Sequence, residues 1–262
     1  MTRNFASAHD RAISAQFTAQ ASGFAAGKEL HADEVLALIV DAASPGPDDC
    51  AIDLACGPGS VACALAERAK RVVGLDVTPA MLEQARTLAE NSCLQNVEWR
   101  QGDLYSTGFA DAAFDVVTCR FAFHHLEDPR KAFFEMARLA APGGRIVLCD
   151  GVASDTPEKA RAFNAMERQR DPSTVAFRTL DDLHSLFVGA GLGEPQTKLF
   201  QVVYLAADLV GRSFPADGDR AGLLALIEES VEGDVLGMNA RRTAQGVMIS
   251  YNSVVLSAIK AG

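Results

Sequence analysis

Apolar and polar positions along the chain alternate between two periods. Short apolar runs occur at residues 51–55, 71–75, 114–118 and 145–149, with a weaker, more polar run at 97–101. Between them lie segments of helical period at 61–69, 79–91 and 129–140. Strand-like runs separated by helices predict a parallel sheet, because a parallel crossover needs a dozen or more residues and a helix supplies them. A helix over Ala32–Ala43 and the loop "SPGPDD" precede this core. After it, "TPEKARAFNAMERQRDPSTV" predicts a helix that breaks at Asp171-Pro172, and residues 180–190 predict another that ends at Gly191. The tail offers "QTKLFQVVYL" and "GVMISYNSVVLSAI" as strands flanking a helical insert at about 206–235. With no internal repeat, low-complexity tract or linker, the pattern predicts one domain. Residues 1–48 are expected to form an amino-terminal helical lid, 49–150 the core, and 151–262 a cap with the final strands.

Composition narrows the choices. A chain of 262 residues that is 48% hydrophobic and 22% charged can bury a full core. Its net charge of −10 and pI near 5.0 argue against a nucleic-acid partner, which selects a basic face. No apolar run reaches the roughly 18 residues of a membrane span, and no signal-peptide core follows Met1, so a soluble, cytoplasmic protein is expected. The six cysteines include no CxxC pair. They read as small buried thiols without a disulfide framework, and no metal site is expected.

The chemistry starts at "AIDLACGPGS", residues 51–60, where an apolar run turns through glycines into a helical segment. Gly57-x-Gly59-x-x-Ala62 satisfies a loose dinucleotide pattern, which alone is a weak signal. Asp76 closes the second run 23 positions beyond Asp53, where a carboxylate accepts hydrogen bonds from an adenosine ribose. Nicotinamide dinucleotides and S-adenosylmethionine both carry that ribose. Three features favour the second. Asp53, just ahead of the turn, suits a ligand ammonium better than a pyrophosphate. In "QGDLYS", Asp103 and the Leu104 amide are placed to read an adenine edge. None of the three tyrosines has a lysine four residues later, so the acid/base pair of short-chain reductases is missing.

The stretches "AIDLACGPG", "VVGLDVTPAMLEQA" and "GDLYSTGFADAAFDVVTCRFAFHHLEDPRKAFFEMARLAAPGGRIVL" resemble the consecutive motifs of class I S-adenosylmethionine-dependent methyltransferases. The resemblance is to the bacterial small-molecule branch similar to ubiquinone/menaquinone-biosynthesis methyltransferases. It implies an α/β, Rossmann-like sheet, mostly parallel with the last strand antiparallel, under a helical cap. It also implies that Ala55, Cys56, Gly57 and Gly59 wrap the methionine moiety, although the family usually has glycine where Ala55 stands. Asp76 would hold the ribose, Val77 and Met81 would pack on the adenine, Asp103 and Leu104 would meet its edge, and Arg120 would line the methyl-donor pocket.

Methyl transfer from a sulfonium is an in-line displacement, so the protein chiefly aligns the reactants and keeps water out. His124 and His125, at the end of the fourth strand, are candidates for taking a proton from the acceptor. Adjacent residues of a strand point to opposite sides, so only one is expected to face it. Phe17, Phe24, Phe163 and Met166 are expected to form an apolar lid, and Arg168, Arg170 and Arg178 a basic cluster in the cap. A small-molecule methyl acceptor fits the large cap. A nucleic-acid acceptor usually comes with an Asn/Asp-Pro-Pro-aromatic tetrad where this chain has "RFAFHH". A regulator that binds the cofactor without turnover is the reading from a different class.

Overall fold

Strands that are apolar throughout belong in the middle of a sheet covered on both faces. The computed structural model places them there; it is described over residues 13, 16–18, 32–215 and 217–262. The strands are β1 (Cys50–Leu54), β2 (Arg71–Asp76), β3 (Val97–Gln101), β4 (Phe114–Arg120), β5 (Ala140–Gly151), β6 (Gln196–Leu205), β7 (Arg241–Thr243) and β8 (Gly246–Ile259). They form one sheet in the order β3-β2-β1-β4-β5-β8-β6, and β7 pairs with β8. The first five strands are mutually parallel, and β8 runs antiparallel to its neighbours β5 and β6. The fold is therefore the α/β, Rossmann-like sheet that the motifs imply. The run at 97–101 is weakly apolar because β3 is an edge strand whose residues are half-buried or exposed.

Alternate residues of the central strands point to opposite faces. One face carries Ala51, Val72, Val116 and Val147 and is covered by Val35, Ile39 and Ala43 of helix α1 (Ala32–Ala43) and by Val61, Ala62 and Leu65 of helix α2 (Ser60–Ala66). The other carries Ile52, Val73, Val117, Ile146 and Leu148. It is covered by Phe133 and Met136 of helix α4 (Pro129–Leu139) and Leu183 and Phe187 of helix α6 (Leu180–Gly189). Helix α3 (Pro79–Asn91) starts at Pro79 directly after the end of β2.

A separate apolar cluster forms the cap. Phe163 and Met166 of helix α5 (Pro157–Arg170) pack with Leu209 and Val210 of helix α7 (Ala206–Gly211) and with Leu223 and Ile227 of helix α8 (Arg220–Glu229), over Val247 and Ile249 of β8. The insert at 206–235 is thus helical, as the pattern predicts, and shares its core with the first half of β8. No helix among the described residues is long and apolar enough to cross a membrane.

Two expectations change. Helix α1, assigned to the lid, is a structural cover of the sheet, because its residues at helical spacing, Val35, Ile39 and Ala43, are buried against it. The hairpin strand β7, "RRT", escaped the pattern because all three residues are exposed and carry no periodicity.

Candidate active site

At the end of β1 the chain must reverse into α2, and it does so through left-handed backbone. Ala55, Gly57 and Gly59 have φ of 50°, 53° and 89°. Glycine adopts such values without strain, whereas an L-residue with a Cβ pays about 1–2 kcal/mol. Ala55 therefore keeps the torsion in spite of its methyl group. The turn is tied to the next strand: the Cys56 N–H donates to the Leu75 carbonyl at 3.0 Å, and the Gly57 N–H donates to Asp76 Oδ2 at 2.8 Å. The other Asp76 oxygen accepts from the Thr78 N–H at 2.8 Å. Below the turn lies Trp99 of β3, the only tryptophan of the chain. A Cβ added at Gly59 would stand 2.7 Å from its ring, and one at Gly74 would stand 2.3 Å away, so both glycines make room for the indole.

Two buried carboxylates face this turn. Burial pushes the Asp53 carboxyl up to about 7, opposed by a 2.7 Å hydrogen bond from Thr118 Oγ1 and by the charge of Arg120. Burial also raises Asp76, opposed by its backbone hydrogen bonds. Among the described residues neither forms an ion pair. Burial pushes the Cys56 thiol up as well, helped by Asp76 and Asp53, and none of the six cysteines forms a disulfide.

The end of β4 supplies the opposite wall. Phe121 takes a φ of 50°, and residues Phe123–His125 form one 3-10 turn. Because the strand has already ended, the two histidines do not diverge as neighbours in a strand would. Their rings lie 4.0 Å apart, both are buried, and both line the same cavity. The expectation that only one would face it is corrected. His124 Nδ1 lies 2.6 Å from Asp150 Oδ1, and the backbone N–H of His124 donates to Asp150 Oδ2 at 3.0 Å. Burial alone would raise Asp150, but His124 and the Gly151 N–H outweigh it and hold the carboxyl below its usual range. His125 Nδ1 is 3.1 Å from Ser173 Oγ, which donates to Asp171 at 2.5 Å. Burial, reinforced by the charge of His124, lowers the pKa of His125.

One cavity of about 1090 Å³ joins these features. Asp53, Ala55, Cys56, Gly57, Asp76, Val77, Met81, Asp103, Leu104 and Arg120 all line it, together with His124, His125 and Phe17. Gly59 instead packs on Trp99 and Ala85 and shapes the turn from behind. Asp103 is also a turn residue, accepting from the Tyr105 N–H at 2.8 Å. Phe163 and Met166 do not form the wall. They are core residues of the cap, and Phe177 and Tyr251, whose rings lie 5.0 and 5.4 Å from that of Phe163, stand on the cavity side. Phe24 lies outside the described residues. Of the basic cluster, Arg170 lines the cavity but is held by two bonds to the buried Glu167. Arg178 donates to the carbonyls of Phe123 and Leu126, and Arg168 to that of Val175.

Asp150, Trp99, Phe177 and Tyr251 were missed in the sequence. Asp150 had a signal: an acid inside the apolar run "RIVLCDG", just as Asp53 stands inside "AIDL". A buried carboxylate needs a partner, and the histidine pair was available to provide it. The aromatic residues carried no local signal.

The cradle fits the cofactor that the motifs imply. A side chain at Gly57 would meet nothing within 4 Å, so the turn presents bare backbone to open space. Buried carboxylates that form no ion pair among the described residues suit an ammonium group and a pair of hydroxyls.

Comparison with known proteins agrees with this geometry. Residues 52–148 match the family model of a methyltransferase domain. The uncharacterized methyltransferase YcgJ of Bacillus subtilis is 28% identical over 246 residues, covering 90% of this chain and 97% of that protein. Its crystal structure aligns with a TM-score of 0.80 at 26% identity, covering 88% of this chain and 99% of that one. The demethylmenaquinone methyltransferase of Thermus thermophilus is 44% identical over 101 residues, which make up 38% of this chain and 46% of that protein.

Proposed function

The chain belongs to the class I S-adenosylmethionine-dependent methyltransferases, and from that premise we propose that it methylates a small, largely planar or apolar acceptor held inside the cavity. The observation that carries this reading is a single shared cavity. The glycine turn and its carboxylates stand at one end of a space whose other walls are Phe177, Val202, Tyr204, Leu209 and Tyr251 from the cap and the final strands. A volume of about 1090 Å³ lies at the upper end of the range for small-molecule sites and holds a cofactor together with an acceptor.

Bound there, the cofactor supplies a methyl carbon activated by its sulfonium. In this reading Asp76 holds the ribose hydroxyls, Asp53 faces the ammonium, Asp103 and the Leu104 amide meet the adenine edge, and Val77 and Met81 pack on its face. The aromatic wall excludes water and places the acceptor in line with the methyl group. The acidic charge of the chain weighs against a nucleic-acid acceptor. The Thermus relative is named for demethylmenaquinone, which supports a small-molecule acceptor class.

The test has two parts. Calorimetry is expected to show S-adenosylhomocysteine binding in the micromolar range, about −8 kcal/mol, with no binding of NAD or NADP. Incubation with methyl-labelled cofactor and a cell extract split by size is expected to place label in the small-molecule fraction. Label confined to the macromolecular fraction would replace this reading with a polymer acceptor.

A further inference from the structure

The cap end of the cavity carries two cations that a purely apolar acceptor does not need. Helix α5 ends at Arg170, and Arg212 follows helix α7; both line the cavity, in a chain whose net charge is −10. Beside Arg170 stands Glu167, which is 0% exposed. It accepts from Arg170 Nε at 2.9 Å and Nη2 at 2.8 Å, and from the Tyr251 hydroxyl. Burial pushes the Tyr251 phenol up, so it keeps its proton and donates. Glu167 thus uses one edge of the guanidinium and fixes its plane. The other edge, between Nη1 and Nη2, finds no acceptor among the described residues, and 16% of the side chain stays open. Such an edge presents two N–H groups at the spacing that a carboxylate matches with its two oxygens.

Arg212 is held more loosely. Its Nε donates to the Asp208 carbonyl at 3.3 Å, its Cζ stands 5.8 Å from the centroid of the Tyr204 ring, and it forms no ion pair among the described residues. Arg120, a further arginine of the lining, acts instead on Asp53 at the glycine-turn end. At the cap end, then, Glu167 meets the charge of Arg170, and no carboxylate pairs with Arg212. Asp171 also lines the cavity, with its Oδ1 accepting from the Ser173 N–H at 3.0 Å and from the Ser173 hydroxyl at 2.5 Å. Its charge beside Arg170 limits this end to a ligand with one negative charge.

We propose that the acceptor is an apolar acid with a single negative charge, its carboxylate held by the open edge of Arg170 and by Arg212, and its apolar body packed among Phe177, Val202, Leu209 and Tyr251. This rests on the reading of the chain as a small-molecule methyltransferase and names the class of that molecule. An apolar wall selects by shape, whereas the two arginines select by charge. A carboxylate that enters the cavity gives up water, and charged hydrogen bonds from the guanidinium groups replace it. The corresponding primary amide brings its own N–H groups against those donors and leaves them unpaired, so the two are told apart. The cationic sulfonium in the same cavity adds to the preference for an anion over an amine.

The experiment measures binding by calorimetry to the full chain saturated with S-adenosylhomocysteine. The probes are naphthoate, biphenylcarboxylate and decanoate, each beside its primary amide and the corresponding amine, with naphthyl phosphate as the dianion. At least one acid is expected to bind about tenfold or more tighter than its amide and its amine. Arg212→Gln is expected to weaken that acid by about five- to twentyfold and to leave its amide within twofold, while Arg212→Lys, which keeps the charge, restores most of the loss. Arg170→Lys keeps a cation against Glu167 but removes the open edge, and is expected to weaken the acid by about tenfold. Should that variant fold poorly, Arg212 carries the test, because its side chain bonds only a main-chain carbonyl and its melting temperature is expected to match the parent's. Amides that bind as well as acids, amines that bind better, no acid bound at millimolar concentration, or acid affinity unchanged in Arg212→Gln would each overturn the inference and leave the small-molecule reading in place. Naphthyl phosphate bound more than tenfold tighter than naphthoate would overturn it in favour of a phosphorylated acceptor. Methyl label found only in macromolecules of a cell extract would overturn both readings.

Discussion

The Gly57 N–H donates to Oδ2 of Asp76 at 2.8 Å, so the turn that follows β1 and the carboxylate that ends β2 are one unit. Residues 19 positions apart thereby hold each other in the shape a ligand meets. Asp76 is both the expected ribose partner and the support of the backbone beside it.

Replacing Asp76 by alanine should therefore have two effects. Loss of charged hydrogen bonds to the ribose is expected to weaken S-adenosylhomocysteine binding by about 1.5–3 kcal/mol, read by calorimetry. The Gly57 and Thr78 N–H groups also lose their acceptor, which is expected to cost about 1–3 kcal/mol of stability in a urea titration, short of unfolding the chain. Unchanged affinity in the variant would make Asp76 purely structural.

Asp53 predicts a dependence on pH. Its folded carboxyl titrates at about 7 against a usual 3.8, because burial opposes its charge. A raised carboxyl contributes stability that is complete below the unfolded value and is lost as pH rises through the folded one. The ligand-free chain should thus lose on the order of 4 kcal/mol between about pH 4 and pH 8, less whatever the surrounding groups contribute. Binding runs the other way. An ammonium ligand needs the ionised form, so S-adenosylhomocysteine affinity is expected to rise about tenfold from pH 6 to pH 8. In Asp53→Asn both slopes should flatten, and thermal melts at pH 8 should show a more stable ligand-free protein that the ligand stabilises little. An affinity independent of pH in the parent would show that Asp53 does not meet the ammonium.

The glycine turn offers paired substitutions of opposite sign. Ala55→Gly relieves a left-handed alanine and is expected to gain about 0.5–1 kcal/mol, after allowance for the freer unfolded chain. Gly59→Ala adds a methyl group at φ 89°, within 2.8 Å of the Trp99 ring and the Ala85 side chain. It should lower stability by about 2 kcal/mol or more and weaken ligand binding. Fluorescence of Trp99, which sits against the turn, is expected to change when S-adenosylhomocysteine is titrated in, and gives a direct readout for both variants.

Acceptor selectivity should reside in the cap, though the cap cannot simply be cut away. Leu209, Val210, Leu223 and Ile227 of the 206–235 insert are buried with Phe163 and Met166, so deletion would expose one core cluster and destabilise the chain. Phe214→Ala is the cleaner change. The ring lines the cavity and is 39% exposed, and Arg220 stands 5.7 Å from its centroid. The variant is expected to alter the acceptor KM several-fold while S-adenosylhomocysteine binding stays within twofold. A matching loss of cofactor affinity would place this residue in the cofactor site instead.

The sequence alone was enough for the sheet and for the residues that gather at the glycine-turn end of the cavity. Runs such as "AIDLA" and "RVVGL" are apolar throughout because both faces of a central strand are buried, and the glycine turn, Asp76 and Asp103 follow strand ends at short, fixed spacing. Both signals are local, and the element order places them together at the carboxyl ends of parallel strands. Which side of a helix a residue joins, and which distant segment it meets, is not written locally. Phe163 and Met166 read as lid residues because an amphipathic face does not say what covers it; the strands of the tail turned that face into a core. Three contacts bridge 26, 48 and 53 positions of chain: Asp150 with His124, Ser173 with His125, and Phe177 with His124. Only packing brings such pairs together, and packing alone decided that the two histidines stand side by side with different partners.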